Sequence, residues 1–192
     1  MSDEVGARKR ALRAELKERR RSMPAQQRQQ ATDAFTGHLR ELVERLGARS
    51  LSAYLSTMTE PNVRPFLNWA IESDVRVLFP IVRDDGLLDW VEGDGRTETE
   101  GLFGMPEAVG EVLTPMAIDS VDLILVPAAS VDRQGMRMGW GRGYFDRALG
   151  SMQRRPPVYA VVFDNELVEH VPSEVHDQPV DGVVTPSGII TF

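Results

Sequence analysis

The chain has no cysteine among its 192 residues, which excludes a disulfide framework, thiolate catalysis and thiolate metal sites together. Its three histidines stand at spacings that form no ligand pattern, so no chemistry is assigned to them. Long apolar runs are also missing. None approaches the ~20 residues needed to span a bilayer, and the opening MSDEVGARKR lacks the apolar run of a secretion signal. The expectation is a soluble, cytoplasmic protein with no membrane partner. Internal repeats and low-complexity tracts are absent as well. With 42% hydrophobic and 27% charged residues, the chain suits a single globular domain spanning 1–192.

Charge is unevenly spread. Residues 1–30 hold nine Lys/Arg and four Asp/Glu, a balance of +5, so a net charge of −7 leaves −12 for the remainder. A basic head on an acidic body is one way to bind nucleic acid. Here, however, the cations are interleaved with Leu12, Leu16 and Met23, the pattern of one side of a helix with a solvated opposite face. No nucleic-acid partner is expected.

The apolar spacing predicts a first helix from Gly6 to about Arg21 and a second that starts at Pro24. Phe35, Leu39, Leu42 and Leu46 form its apolar stripe, and Gly47 ends it. Strand-like runs follow at Ser50–Ser56, Val75–Val82, Val121–Ala128 and Pro157–Phe163, with DGVVTP near the end. Helices are expected between the first two strands, over PNVRPFLNWAIES, and over Arg142–Met152. Nearly continuous apolar strands separated by helices predict an α/β fold: a three-layer α/β/α domain with a mostly parallel central sheet and two N-terminal helices. The polar stretch 84–108 reads as a hairpin plus loops.

In such folds ligands sit beyond the carboxyl ends of the strands. The stretch GMRMGWGRGYFDRAL occupies such a place, between a strand and a helix. Gly139, Gly141 and Gly143 alternate with Trp140 and Arg142, a spacing that permits positive φ and turns successive N–H groups into one concavity. Arg137 and Arg142 could add charge-assisted hydrogen bonds, and the helix start adds its own N–H groups. No Gly-Lys-Ser/Thr closes the loop and no ribose-binding acid follows a first strand, so neither familiar nucleotide loop is present. A tight turn that needs glycine for packing is the alternative. Asp146, on the first turn of the following helix, would repel phosphates unless magnesium lay between them; the helix dipole alone would also favour it. Asp177, in SEVHDQPVD, is a second candidate carboxylate or a loop acid beside a turn.

These residues resemble those of a known family. The run DLILVPAASVDRQGMRMGWGRGYFDRAL is similar to the C-terminal signature of the 5-formyltetrahydrofolate cyclo-ligases, strand, Pro, small-residue turn, then D..G.RLG.G.GYYD..L. KRALR at Lys9–Arg13 resembles the family's N-terminal nucleotide motif, YLSTMTEPNV its strand followed by a glutamate, FGMPEA its GI.EP, and VPSEVHDQPVDGVVTP its closing P.E.HD..VD.V.T. Order and spacing hold over nearly the whole chain. Phe145 stands where the family has a second tyrosine, Ala108 replaces the proline of GI.EP, the glycine often found after the proline is missing from PAASVD, Trp140 takes a position that is often Arg or Tyr, and Glu166 falls where many members have glutamine.

The resemblance implies ATP-dependent closure of 5-formyltetrahydrofolate to 5,10-methenyltetrahydrofolate, with ATP as co-substrate, Mg2+, a reduced folate as substrate and a monomeric enzyme. Carried over position by position, Lys9, Arg13 and the segment Arg137, Met138, Gly139, Trp140, Gly141, Arg142, Gly143, Tyr144, Phe145 would hold ATP. Arg13, Leu55, Glu60, Trp140 and Tyr144 would meet the folate, Arg137 and Tyr144 would serve the chemistry, and Asp146 and Asp177 would hold magnesium. Glu60 has a second reading, as a cap for the helix beginning near Pro61. Two rivals stand beside this expectation: a non-catalytic binder of an anionic metabolite, and an RNA-binding protein led by the basic helix.

Overall fold

The structure, a computed structural model, describes residues 2–192. It opens with α1 (Ser2–Ser22) and α2 (Ala25–Leu46). Pro24 is the N-cap of α2 at φ −59°, a position where its missing N–H costs nothing. Gly47 closes the helix at φ +60°, so that the amides of Gly47 and Ala48 donate back to the carbonyls of Glu44 and Val43. The first helix starts earlier than the expected Gly6, which it simply incorporates.

The remaining elements are β1 (Ser50–Ser52), α3 (Arg64–Glu72), β2 (Arg76–Val82), β3 (Leu88–Glu100), β4 (Pro106–Leu113), β5 (Leu123–Pro127), β6 (Ser130–Asp132), β7 (Arg137–Met138), α4 (Tyr144–Ser151), β8 (Val158–Val161), β9 (Leu167–Val168), β10 (Gly182–Thr185) and β11 (Gly188–Thr191). Eight strands form one sheet in the order β11-β10-β8-β5-β1-β2-β3-β4. Its inner five, β10 to β2, are parallel, while β11 and the β3–β4 hairpin extend it antiparallel at the two edges.

Strand parity divides the core in two. Leu123 and Leu125 of β5 pack with Phe35, Leu39 and Leu42 of α2 and with Phe66 and Leu67 of α3. Ile124 and Val126, one residue out of phase, pack on the opposite face with Leu149 of α4 and with Trp90 and Ile118. This is the expected three-layer arrangement. Each fully buried Leu or Phe contributes roughly 1.5–3 kcal/mol, so the α2 stripe alone is enough to dock that helix.

A second sheet of three short strands, β7-β6-β9, stands apart from the first. α1 lies on it: Leu16 is buried with Ala129, Met138 and Val171, and Leu12 and Trp140 close around them.

Further on, the local boundaries differ from the sequence expectation most at β1, at α4 and in the middle stretch. β1 keeps only Ser50–Ser52 of the expected seven-residue run, because after Ala53, whose amide still donates to the Leu78 carbonyl, the chain turns out of the sheet. α4 begins at Tyr144 and not Arg142, since Gly141 and Gly143 hold φ of +101° and +70°, which no α-helix accommodates. The middle stretch is the expected hairpin, longer than a hairpin plus loops would be, with a register shift between Gly93 and Glu98, and it adds two strands to the sheet.

Candidate active site

A cavity of about 420 Å³ lies beyond the carboxyl ends of β1, β2 and β5. The segment leaving β1 supplies Tyr54, Leu55 and Glu60, the end of β2 supplies Phe79, Pro80 and Val82, and the β3–β4 hairpin supplies Phe103, Met105 and Glu107. The glycine-rich loop completes the wall with Arg137, Gly139, Trp140, Arg142, Gly143, Tyr144, Phe145 and Asp146. Most of the residues expected to touch ATP or folate therefore share one cavity, although Leu55 and Arg137 are 82 positions apart in the sequence.

The loop is shaped by close approach as well as by φ. A Cβ at Gly139 would stand 2.9 Å from the Arg137 guanidinium, and one at Gly141 would stand 3.1 Å from that of Arg13. An added Cβ at either position would push a guanidinium aside, and Gly141 is held at φ +101° besides. Arg13 Nε donates to the Gly139 carbonyl at 2.7 Å, tying α1 to the loop from below. Burial pulls the Arg13 guanidinium below its ordinary value, against the opposing influence of Asp177 and Glu174. Met138 does not line the cavity: its side chain is buried under α1 and its backbone pairs with Ser130.

Arg137 is 3% exposed. It donates to the Pro127 carbonyl at 3.2 Å and to Asp146 Oδ1 at 2.8 Å. Asp146 Oδ1 also accepts the backbone amide of Gln178 at 3.0 Å, which sets the Asp177–Gln178 peptide against the Asp146 carboxylate. The backbone beside one expected metal aspartate thus meets the side chain of the other, while the Asp177 carboxylate itself is turned to Lys9 and the Glu174 amide. Asp146 Oδ2 has no partner among the described residues, and carboxylate oxygens are the hard donors that magnesium takes, so the chemistry of these side chains is compatible with that ion. Glu174, His176 and Asp177 also present ligand atoms within 4.8 Å of one another.

Lys9 does not line the cavity. Its ammonium is turned to Asp177 Oδ2 at 2.5 Å and Glu174 Oε2 at 2.9 Å. Burial lowers its affinity for a proton, but hydrogen bonds to Asp177 and Glu174 outweigh this and leave the Lys9 ammonium above its ordinary value. Glu174 is correspondingly held below the usual carboxylate range by Lys9. Both groups are charged at neutral pH. The expected phosphate cation and an expected metal ligand are thus paired with each other.

Tyr144 opens α4, and its hydroxyl donates to the Arg83 carbonyl at 3.1 Å. Glu60 accepts the amide and hydroxyl of Thr57 on Oε2, at 2.8 and 3.0 Å. It therefore caps the turn after β1 and not α3, whose N-cap is Val63. Arg142 lies over the Phe103 ring at 3.4 Å from its centroid, so the hairpin tip closes on the glycine loop.

Three residues outside the expected set prove important. Arg20, in a run of charges that reads as a solvated face, is 2% exposed. It donates through Nε and Nη2 to the two carboxylate oxygens of Glu166, at 2.7 and 2.8 Å, and stacks on the Trp140 ring. Glu166 is buried with it, so its role is to hold Arg20 under the cavity wall. Tyr54 also lines the cavity; burial, reinforced by Glu60, pushes its phenol far above the ordinary range, which keeps it a neutral donor. Glu107 reaches the cavity from β4, and its signal was the glutamate of FGMPEA. Among the described residues, the Tyr54 hydroxyl, Trp140 Nε1 and Arg137 Nε are buried without a protein partner.

The family model for the 5-formyltetrahydrofolate cyclo-ligase family matches residues 5–186. The chain is 36% identical over 187 residues to the 5-formyltetrahydrofolate cyclo-ligase of Mycolicibacterium smegmatis, covering 94% of this chain and 95% of that one. It is 26% identical over 175 residues to the enzyme of the same name from Haemophilus influenzae, covering 88% and 92%. The solution structure of Aquifex aeolicus 5,10-methenyltetrahydrofolate synthetase superposes with a TM-score of 0.80 at 24% identity, over 95% of this chain and 92% of that one, so the fold is shared as well. A glycine loop braced by Arg13 and Arg137 and sequence agreement along nearly its full length point the same way: the chain belongs to the 5-formyltetrahydrofolate cyclo-ligase family.

Proposed function

We propose that this chain converts 5-formyltetrahydrofolate to 5,10-methenyltetrahydrofolate, using ATP and releasing ADP and phosphate. The observation that carries the reading is the cavity itself: three buried donors without protein partners, on Tyr54, Trp140 and Arg137, line a space bounded by the glycine loop. Unpaired buried donors are costly, and an acceptor-rich ligand satisfies them.

The chemistry needs positioning more than a nucleophile. A formyl oxygen is a poor leaving group. Transfer of the γ-phosphoryl group of ATP to that oxygen activates the formyl carbon, N10 of the folate attacks it and loses its proton, and the C–O bond breaks as phosphate departs. Negative charge develops on the transferred group throughout. The backbone amides of the loop, the α4 N-terminus and Arg137 are the groups assigned to stabilise it. Arg13 holds the loop in shape through Gly139. Lys9 is assigned to the phosphates once its pairing with Asp177 is exchanged. Asp146 and Asp177 would hold magnesium, which supplies charge neutralisation at phosphate oxygens when bound.

Leu55 and Phe145 offer apolar faces to the folate ring, with Glu60, Trp140 and Tyr144 supplying polar contacts. Lys9, Arg13 and Arg20 are directed inward, which leaves less of the basic helix available to a nucleic acid. Among the described residues no helix is long and apolar enough to cross a membrane.

The direct test mixes the protein with 5-formyltetrahydrofolate, ATP and Mg2+ and follows the absorbance of the methenyl product. Product formation that requires ATP and metal is expected. No product from a folded protein that binds ATP would refute the reading.

A further inference from the structure

Three carboxylates line the cavity: Glu60, Glu107 and Asp146. Asp146 is neutralised by Arg137. Glu107 has no cation partner among the described residues, although it is only 9% exposed and stands beside apolar walls formed by Phe79, Val82 and Met105. A carboxylate in such surroundings is retained only where hydrogen-bond donors compensate its lost hydration.

One donor is built in. Glu107, near the start of β4, reaches past β3 so that its Oε1 accepts the Val82 amide at 2.9 Å. The backbone also makes room for it: a Cβ at Gly101 would stand 2.1 Å from Glu107 Cδ and 2.4 Å from Oε2. Gly101 has φ −90°, so what its missing Cβ provides is space for the carboxylate and not a special backbone conformation. The fold thus positions the carboxylate from both sides, and Oε2 is left without a protein donor among the described residues.

The cavity is consequently polarised. Its glycine-loop side carries the cations, and its hairpin side carries an anionic acceptor set among apolar surfaces. A flat ring with two adjacent N–H donors fits the second side. We propose that Glu107 is a specificity-determining residue that accepts hydrogen bonds from the amino-pyrimidine edge of the folate ring, its exocyclic amino group and neighbouring ring N–H. This inference rests on the cyclo-ligase reading and adds to it the residue that selects the pterin.

Glu107→Gln isolates the charge, because the amide oxygen can still accept from Val82. With a melting temperature near that of the parent chain, E107Q is expected to raise KM for 5-formyltetrahydrofolate about 10- to 100-fold, the scale of a charged hydrogen bond, while KM for ATP stays within about threefold. A folate analogue with methyl in place of the 2-amino group is expected to bind the parent chain weakly, and E107Q is expected to lose most of that discrimination. Gly101→Ala, which displaces the carboxylate without removing it, should raise the folate KM in the same direction.

An unchanged folate KM in E107Q, or undiminished discrimination against the analogue, overturns the proposal while leaving the cyclo-ligase reading intact. Equal rises in both KM values with a large fall in melting temperature also overturn it, in favour of a structural role. Failure of the parent chain to form methenyl product would instead remove the reading on which it rests.

Discussion

Replacing Glu166 by alanine tests how the fold supports the cavity wall. In the parent chain Arg20 and Glu166 are each 2% exposed and are joined by two hydrogen bonds at 2.7 and 2.8 Å. Glu166 Oε2 also accepts the Phe163 amide at 2.8 Å, and Arg20 donates to the Ala128 carbonyl. Glu166→Ala leaves Arg20 as a buried cation with one carbonyl and two aromatic faces, those of Trp140 and Phe163. Breaking such a pair by removing one partner costs about 3–5 kcal/mol. For a chain of this size each kcal/mol moves the melting temperature by about 2–4 °C, so a fall of roughly 6–20 °C is expected. Urea titration should place the same loss in the midpoint, with little dependence on salt because water and ions do not reach the pair. The double variant Arg20→Met with Glu166→Leu should recover most of the stability, since the charge is no longer stranded. A loss below about 1 kcal/mol in E166A, or a double variant no better than the single one, would refute the assignment of Arg20 as a buried, Glu166-dependent support.

Arg137→Ala is expected to lower turnover about 100-fold or more, the scale of losing one electrostatic donor in a dry site, as read by methenyl absorbance. Asp146→Ala should fall as far, and a Mg2+ titration should separate weakened metal dependence from global loss. Glu60→Gln is expected to raise the folate KM while leaving the Thr57 turn capped by its amide oxygen; unchanged kinetics would assign Glu60 to the turn alone. Asp177→Asn leaves Lys9 paired with Glu174 alone, so ATP should bind more tightly in the absence of metal and less tightly in its presence, as measured by calorimetry. The pH dependence has a definite sign. Glu174 is held below its ordinary value of 4.5 by Lys9, so its contribution is complete above that value and is lost as pH falls through the lowered one. Melting curves between about pH 3 and 6 should therefore flatten in Lys9→Met relative to the parent chain.

What could be read from the sequence depended on the range of the interaction that decides each feature. The α2 stripe and its Gly47 stop are local, and the alternating faces of β5 need only a period of two residues. The three-layer fold follows from these. β1 was overextended because Ala53, Tyr54 and Leu55 are as apolar as a strand, and nothing in the run itself shows that the chain leaves the sheet to wall a cavity. The β3–β4 hairpin is legible from its turn residues, but its length is not, because its acids and glycines carry weak strand propensity and cross-strand pairing overrides that. Arg20 was hidden for a related reason: among Lys17 to Arg21, composition cannot distinguish the one cation that meets Glu166 from those that face water.

The site follows the same division, with a chemical consequence. The glycine loop was recognisable because positive φ and close approach leave their mark in residue type, at Gly139 and Gly141 above all. The charge balance around it was not. Lys9 and Arg137 read as free cations awaiting phosphate, and Asp146 and Asp177 as free acids awaiting metal, yet the folded chain pairs Lys9 with Asp177 and Arg137 with Asp146. Each cation stabilises an acid that would otherwise repel its neighbours in a partly dry site, and each acid offsets the burial of a cation. Neither Lys9 nor Arg137 therefore stands as an unopposed positive charge. Phosphate alone would have to displace carboxylates from these cations, whereas phosphate arriving with a divalent ion lets both pairs exchange partners at once. The pairing thus predicts that nucleotide and metal binding depend on each other, an expectation that no reading of the residues one at a time can supply.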